Sequence, residues 1–266
     1  ADRIGAGPSP GGTPVFPYHD ENETLHTPYV TWTLIGLNVV SWLSVQGAGA
    51  TVPLARSVCN LGLIPGELTG TLPPGTAFPM GQGLVCLTDP GRQVSHVFTS
   101  MFLHGSWLHL IGNMWFLWLF GNNIEDSMGR GRFVAFYLIC GVAAALAQVV
   151  LNPSSGVPMV GASGAISGVM GAYLVLYPHV RVFAMVPIGF FLTSIALPAW
   201  TMLLYWFVIQ LISGATAIGA EGGGVAFWAH IGGFVAGAVL VKAFARSDYV
   251  TAHRAARWRP QRVWRR

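Results

Sequence analysis

The sequence predicts an all-α polytopic membrane protein with six transmembrane helices, and its composition is the first reason. Of the 266 residues, 53% are apolar and only 9% are charged, whereas a soluble domain carries about 25% charged residues. Between positions 104 and 245 the only Asp, Glu, Lys and Arg residues are Glu125, Asp126, Arg130, Arg132, Arg181, Glu221 and Lys242. The apolar stretches between them are long enough to cross a bilayer, which takes about 20 residues per helix.

Five apolar segments and one ambiguous stretch give the six predicted helices. The segments cover residues 29–45, 104–120, 133–151, 159–177 and 225–244. Residues 182–214 are too long for one straight span and too short for two, and Pro187 and Pro198 interrupt them. We therefore predict one span over residues 198–214, preceded by an apolar segment at the membrane interface or packed on the bundle.

The segments flanking the helices define the predicted domain organisation. Residues 1–28 are polar and rich in Pro and Gly, without the apolar core of a signal peptide, so we expect them to be flexible. Residues 29–245 form the six-helix domain, in which residues 46–103 are a long outer loop. Residues 246–266 contain seven of the thirteen arginines. Beside a membrane, this tail is interpreted as a cytoplasmic anchor that touches anionic lipid, in preference to a nucleic-acid-binding segment.

Two polar residues near the starts of apolar segments constrain the topology. Ser163 and His230 can share one depth only if the fourth and sixth segments run in the same direction, with one crossing between them. The distribution of charge agrees, because the loops that this arrangement places inside contain Arg130, Arg132 and Arg181. The short outer loops, residues 152–158 and 220–224, contain neither Lys nor Arg. The site is therefore predicted to open to the extracytoplasmic side of the cell membrane.

Glycines around Ser163 and His230 favour a catalytic pair over two unrelated polar residues. A serine in a transmembrane helix usually bonds to its own backbone or to a neighbouring helix. A serine at a helix N-terminus, however, has free backbone N–H groups beside it that can stabilise an oxyanion. Glycines on one face of a helix permit close packing against a neighbouring helix. The fourth segment has Gly161, Gly164, Gly168 and Gly171, and the sixth has Gly233 and Gly237.

His109 and Asn113 lie one helical turn apart in the second segment and share a face. The spacing fits either a hydrogen bond between helices or two side-chain donors for an oxyanion. His104 is expected to support a loop. A metal site that uses these histidines is disfavoured, because the chain has no H-E-x-x-H motif and these spans have no carboxylate.

Cys59 and Cys86 both lie in the predicted outer loop. Outside the cytoplasm a disulfide can persist, so a bridge between them is expected. Two unpaired thiols remain the alternative at this point, because the sequence does not show whether they are close.

Three strings, taken in order, resemble the rhomboid intramembrane serine proteases of the compact six-helix prokaryotic kind. They are His104-x4-His109-x3-Asn113, Gly161-Ala-Ser-Gly164 and Ala229-His-Ile-Gly-Gly233. Asp20-Glu-Asn22 and Thr27-Pro-Tyr-Val-Thr31 are also similar to the sequence that many prokaryotic members have before the first span. The resemblance covers residues 20–245.

The resemblance implies a function and a role for each site residue. Ser163 would be the nucleophile and His230 its general base, while His109, Asn113 and the backbone N–H of Ser163 would form the oxyanion hole. The substrates would be transmembrane proteins, cleaved in or beside their membrane-spanning segments, and no cofactor or metal is implied. Independently of the resemblance, the three consecutive glycines in residues 220–224 predict a flexible cap over the site, and residues 198–214 are expected to border the path of the substrate.

Two departures from the family pattern concern how the site is held. Ser167 stands where some members have an aromatic residue stacked on the histidine, and Ser95-His96 stands where many have Trp-Arg. The main alternative function is that of an inactive rhomboid-like protein that binds and escorts membrane proteins, but such relatives typically lack the serine or the histidine. A transporter would instead need charged groups or broken helices at mid-membrane.

Overall fold

The structure is mainly helical. A computed structural model describes residues 16–188, 191–216 and 226–256. In chain order its elements are β1 (Phe16–Asp20), α1 (Tyr29–Ser44), α2 (Thr51–Leu61), α3 (Pro65–Thr69), β2 (Ala77–Gly81), β3 (Leu84–Leu87), α4 (His96–Thr99), α5 (Trp107–Met128), α6 (Arg130–Leu151), α7 (Ser163–Leu176), β4 (Arg181–Ile188), β5 (Phe191–Pro198), α8 (Ala199–Thr216), α9 (Phe227–Phe244) and α10 (Ser247–Ala256). The long helices α1, α5, α6, α7, α8 and α9 fall on the six predicted segments, one on each.

The centre of the bundle is α7. It packs against α5, α6, α8 and α9, and ten of its 14 residues are buried. By length and composition α6, α8 and α9 can each cross a membrane, whereas α7 is a shorter apolar helix. At a rise of 1.5 Å per residue, 14 residues extend over about 21 Å, which is less than the ~30 Å of a bilayer's hydrocarbon core.

Glycines let α7 and α9 pack backbone to backbone. A Cβ added at Gly233 would collide with the carbonyl oxygen of Gly164, and one added at Gly237 would collide with that of Gly168. A Cβ at Gly171 would likewise collide with the backbone of α9. The predicted small faces of the two helices therefore meet, and they place the N-terminal turns of α7 and α9 side by side.

Residues 16–28 are not the flexible segment that the composition predicted. Strand β1 pairs antiparallel with β4, and the Trp115 Nε1–H of α5 donates to the carbonyl oxygen of Pro17 at 2.6 Å. The carboxylate of Asp20 is buried and accepts hydrogen bonds from the hydroxyl of Tyr173 at 2.5 Å and from Asn123 Nδ2 at 3.0 Å. The bundle supplies the donors that hold this polar segment. Residues 1–15 lie outside the described part of the chain.

The segment leading into α1 and the C-terminal helix α10 meet at one end of the bundle. Glu125 at the end of α5 caps α1, accepting from the backbone N–H groups of Val30 and Thr31 at 3.0 and 2.8 Å. His253 of α10 contacts the same region, because its Nε2–H donates to the carbonyl oxygen of Glu23 at 2.7 Å. The predicted basic tail thus begins as a packed helix. Its last arginines, in residues 257–266, lie outside the described residues.

The apolar segment before α8 is a β-hairpin. Strands β4 and β5 pair antiparallel from Arg181↔Pro198 to Ile188↔Phe191, and with β1 they form a three-stranded sheet in the order β1-β4-β5. Val182 and Ala184 of β4 face the core. The expectation of an apolar segment packed on the bundle thus holds, with β structure satisfying its backbone groups.

The outer loop, residues 46–103, contains α2, α3, the β2–β3 hairpin and α4. Cys59 and Cys86 form the expected disulfide, with their Cα atoms 5.5 Å apart. Leu63 exchanges two backbone hydrogen bonds with Met159, at 3.0 and 2.8 Å, just before α7. His96 is buried at the start of α4. The loop is therefore fastened to the segment that leads into Ser163.

Candidate active site

Ser163 is the first residue of α7, and a glycine with unusual geometry precedes it. Gly161 has φ +130°, a conformation that side-chain-bearing residues rarely adopt. Its N–H donates to the carbonyl oxygen of Ser100 at 2.9 Å. A Cβ at this position would lie 2.9 Å from the ring of His109. Gly161 is therefore required both by its backbone angle and by the close approach of the imidazole.

Ser163 and His230 are in hydrogen-bond contact. His230 lies in the first turn of α9, and its Nε2 is 2.8 Å from Ser163 Oγ. Because the glycine faces bring α7 and α9 together, two residues that are 67 positions apart reach each other at the same end of the bundle. The arrangement is that of a serine nucleophile with an adjacent general base.

The other ring nitrogen of His230 contacts Gln210, which the sequence analysis did not single out. His230 Nδ1 is 2.7 Å from Gln210 Oε1 on α8. One turn earlier on α8, the ring of Trp206 lies against the imidazole, with centroids 5.8 Å apart and planes inclined by 36°. The signal in the sequence was a polar amide in an otherwise apolar span, four residues after a tryptophan.

Ser167 does not take the place of the aromatic residue that some family members have. Its hydroxyl donates to the carbonyl oxygen of Ser163, one turn earlier on α7, at 2.6 Å. The aromatic ring that lies against His230 comes from Trp206 of α8 instead. Where some family members support the histidine with an aromatic residue on the serine-bearing helix, this chain has Ser167 there and the supporting ring on α8.

His109 and Asn113 line the same cavity as Ser163 and His230, which has a volume of about 620 Å³. His109 Nδ1 accepts from the N–H of Gly105 at 3.3 Å, which in a neutral imidazole leaves the proton on Nε2. Among the described residues, the buried Asn113 Nδ2 has no hydrogen-bond acceptor. Both side chains therefore present a donor to the space beside Ser163.

His104 lies behind His109 and connects it to the outer loop. The two imidazole rings meet edge to face with centroids 5.1 Å apart. The backbone of His104 is bound on both sides by the Gln46 side chain, whose Oε1 accepts at 2.8 Å and whose Nε2 donates at 2.7 Å. The expectation that His104 supports a loop agrees with these contacts. The predicted cap over the site, residues 220–224, lies outside the described residues.

Comparison with known proteins supports the resemblance. A family model described as "Rhomboid domain" matches residues 91–247, which include all four site residues. The chain is 27% identical over 170 residues to "Rhomboid protein 1, mitochondrial" of Saccharomyces cerevisiae, covering 60% of this chain and 45% of the yeast protein. It is 34% identical over 142 residues to "Rhomboid protease GluP" of Bacillus subtilis, covering 53% of this chain and 25% of that protein.

A third relative is "Rhomboid-like protease 5" of Toxoplasma gondii, 29% identical over 160 residues, or 58% of this chain and 17% of the parasite protein. The matched part spans less than half the length of each of these three relatives. The family match covers more than half of this chain and includes both helices of the Ser163–His230 pair. The chain therefore belongs to the rhomboid family.

Proposed function

We propose that this protein is an intramembrane serine endopeptidase that hydrolyses peptide bonds in or next to transmembrane segments of membrane proteins. The single observation that carries the proposal is the 2.8 Å contact between Ser163 Oγ and His230 Nε2 at the N-terminus of a short apolar helix. In the proposed reaction, His230 Nε2 takes the Ser163 proton as Oγ attacks the substrate carbonyl carbon. The imidazolium then returns that proton to the leaving amine.

Three donors would stabilise the oxyanion that forms on the carbonyl oxygen. They are Asn113 Nδ2–H, His109 Nε2–H and the backbone N–H of Ser163, which has no intrahelical acceptor at the start of α7. Preorganised donors of this kind are each worth about 10²–10³ in kcat. A water molecule, activated by His230 in turn, would then hydrolyse the acyl-enzyme.

The membrane topology proposed for this site is outward-facing. Glu23, before α1, and His253, after α9, are in contact at the end of the bundle that also contains the Arg181–Glu21 ion pair, at 2.9 Å. Segments before the first span and after the last span that lie on one side require an even number of crossings, which supports six membrane spans. Since Arg130, Arg132 and Arg181 lie at this end, the positive-inside rule makes it cytoplasmic. The basic tail would then lie at the anionic inner leaflet.

Access for a membrane-embedded substrate is proposed between α5 and α8. A second cavity of about 230 Å³ reaches Ser163 and His230 from this side, and much of its lining is apolar: Leu108, Phe116, Ile166, Met170 and Trp206. Such a cavity suits an apolar side chain better than a charged one. This position supports the assignment of α8 as the border of the substrate path.

The test is cleavage of a model transmembrane substrate by purified protein in liposomes, together with covalent labelling by a fluorophosphonate probe. Ser163→Ala and His230→Ala are expected to lose cleavage, and Ser163→Ala is expected to lose labelling. Ser44→Ala is the matched control, because Ser44 Oγ lies outside both cavities of the site and donates to the carbonyl oxygen of Val40 within α1. Cleavage by Ser163→Ala at the wild-type rate would refute the proposal. An inert but folded wild-type protein would favour the escort alternative.

A further inference from the structure

The amide of Gln210 is unusual for its helix. Of the 18 residues of α8, only Ala199, Leu203, Gln210 and Gly214 are buried, and much of the rest of the helix is exposed and apolar. Burying a primary amide in such surroundings is costly unless it is hydrogen-bonded. Gln210 Oε1 lies 2.7 Å from His230 Nδ1. This contact therefore satisfies the amide oxygen, and it lies on the side of the imidazole that faces away from Ser163.

The direction of this hydrogen bond determines which nitrogen of His230 carries the proton. A carbonyl oxygen can only accept, so Nδ1 must donate to Gln210 Oε1. In a neutral imidazole the lone pair is then on Nε2, which is the atom 2.8 Å from Ser163 Oγ. The bond selects the tautomer in which Nε2 can accept the serine proton. The opposite tautomer would present an N–H to the nucleophile and could not act as its base.

Trp206 restricts the ring in a second way. Trp206 and Gln210 are four residues apart and share one face of α8. Trp206 lies against the imidazole at a centroid separation of 5.8 Å, while Gln210 bonds to its edge. One helix therefore limits both the tilt of the ring and its rotation about the Cβ–Cγ bond.

We infer that Gln210 is a positioning residue for His230, performing with a neutral acceptor the orienting role that a carboxylate performs in a Ser-His-Asp triad. The inference rests on the proposed serine-protease function and assigns α8 a part in the catalytic geometry. In the described residues that surround the imidazole, α5 contributes His109 and α7 contributes Ser163, and neither can accept from Nδ1 while it serves the reaction. Among the described residues, Gln210 Oε1 is the acceptor in contact with Nδ1.

The experiment compares Gln210→Leu with the wild-type protein in liposomes, measuring both substrate cleavage and the rate of fluorophosphonate labelling of Ser163. A wrong tautomer or a ring displaced by about 1 Å costs on the order of 100-fold or more. Gln210→Leu is therefore expected to lower kcat about 100-fold with KM within about twofold. Labelling should slow by a similar factor, since the probe does not depend on unwinding a substrate helix.

Two further variants separate orientation from simple packing. Gln210→Glu retains an accepting oxygen and should recover kcat to within about tenfold of the wild-type value. Gln210→Met has a similar length without a strong acceptor and should behave like Gln210→Leu, which covers the case in which the leucine variant fails to fold. Gln148→Leu is the matched control, because it makes the same change in α6, on a residue that does not line either cavity of the site.

Several outcomes would overturn the inference. It fails if Gln210→Leu, or Gln210→Met in its place, cleaves and labels at wild-type rates. It also fails if only KM rises while labelling is unchanged, because the role of α8 would then be limited to substrate access. A wild-type protein that neither labels nor cleaves would instead overturn the proposed function, and the role of Gln210 with it.

Discussion

A methyl group added at Gly237 should separate the proposed catalytic residues, Ser163 and His230, without contacting either of them. The Cβ of Gly237→Ala would lie 2.6 Å from the Cα of Gly168, whereas carbon atoms in contact prefer about 3.5–4.0 Å. To relieve this collision, α9 must move away from α7 by roughly 1 Å. His230 lies seven residues earlier, two turns along the same face of α9, so it moves with the helix.

That displacement would lengthen the 2.8 Å contact between Ser163 and His230 to nearly 4 Å, beyond the ~3.2 Å limit for proton transfer in a hydrogen bond. A misplacement of about 1 Å costs on the order of 10²-fold in rate, so we expect kcat to fall by that factor. Overpacking of this kind also costs about 1–3 kcal/mol of stability. Cleavage in liposomes and the fluorophosphonate labelling rate measure the first effect, and unfolding in detergent measures the second.

Gly36→Ala is the matched control for this prediction. Gly36 lies inside α1, and an added Cβ would meet nothing within 4 Å. Replacing glycine by alanine in a helix interior should stabilise the protein by roughly 0.5–1 kcal/mol, with cleavage unchanged. Wild-type labelling and cleavage by Gly237→Ala would refute the reasoning, because they would mean that the glycine contacts do not set the distance between Ser163 and His230.

Three other changes test separate parts of the structure. Asn113→Ala should lower kcat about 10²–10³-fold, equivalent to about 2.7–4 kcal/mol of barrier, with little change in KM; an unchanged kcat would exclude Asn113 from the proposed oxyanion hole. Replacing both Cys59 and Cys86 by serine should destabilise the protein by about 3–4 kcal/mol, because the closed loop spans 27 positions; unfolding measured with and without reductant checks this. Burial raises the pKa of the Asp20 carboxyl to about 6, so its contribution to stability is complete below about pH 4 and is lost as the pH rises through 6. Acidification from pH 7 to 5 should therefore add a stabilising contribution that Asp20→Asn lacks, measured as the pH-dependent difference in the free energy of unfolding between the two proteins.

Patterns local in sequence predicted much of the fold and of the site. Apolar length located the long helices, and the crossing-parity argument placed Ser163 and His230 at one end of the bundle, where they touch. The glycines at three- and four-residue spacing predicted the α7–α9 contact, because small side chains in a helix have few other reasons for that periodicity. Each of these inferences used information contained within one or two helices.

The features that the sequence did not reveal depend on distant partners. Strand β1 forms because β4, more than 150 residues later, offers a free edge, so a polar segment that appears flexible by composition becomes ordered. In the sequence, Gln210 cannot be distinguished from any other amide side chain in a membrane span. Its role became visible only when α8 and α9 were placed together, with Gln210 Oε1 against His230 Nδ1.

Because α7 begins late, it meets two requirements of the proposed chemistry: access for water and a free backbone N–H at Ser163. At about 21 Å the helix is roughly 9 Å shorter than the hydrocarbon core, so a cavity above Ser163 can admit water below the membrane surface. Had the helix begun four residues earlier, the N–H of Ser163 would bond to the carbonyl oxygen of Met159. That oxygen instead accepts from Leu63 of the outer loop at 3.0 Å. The outer loop thus binds the carbonyl oxygen that would otherwise accept from Ser163 if α7 were longer. Because α7 starts late, water can reach the site, and the Ser163 N–H remains available to an oxyanion.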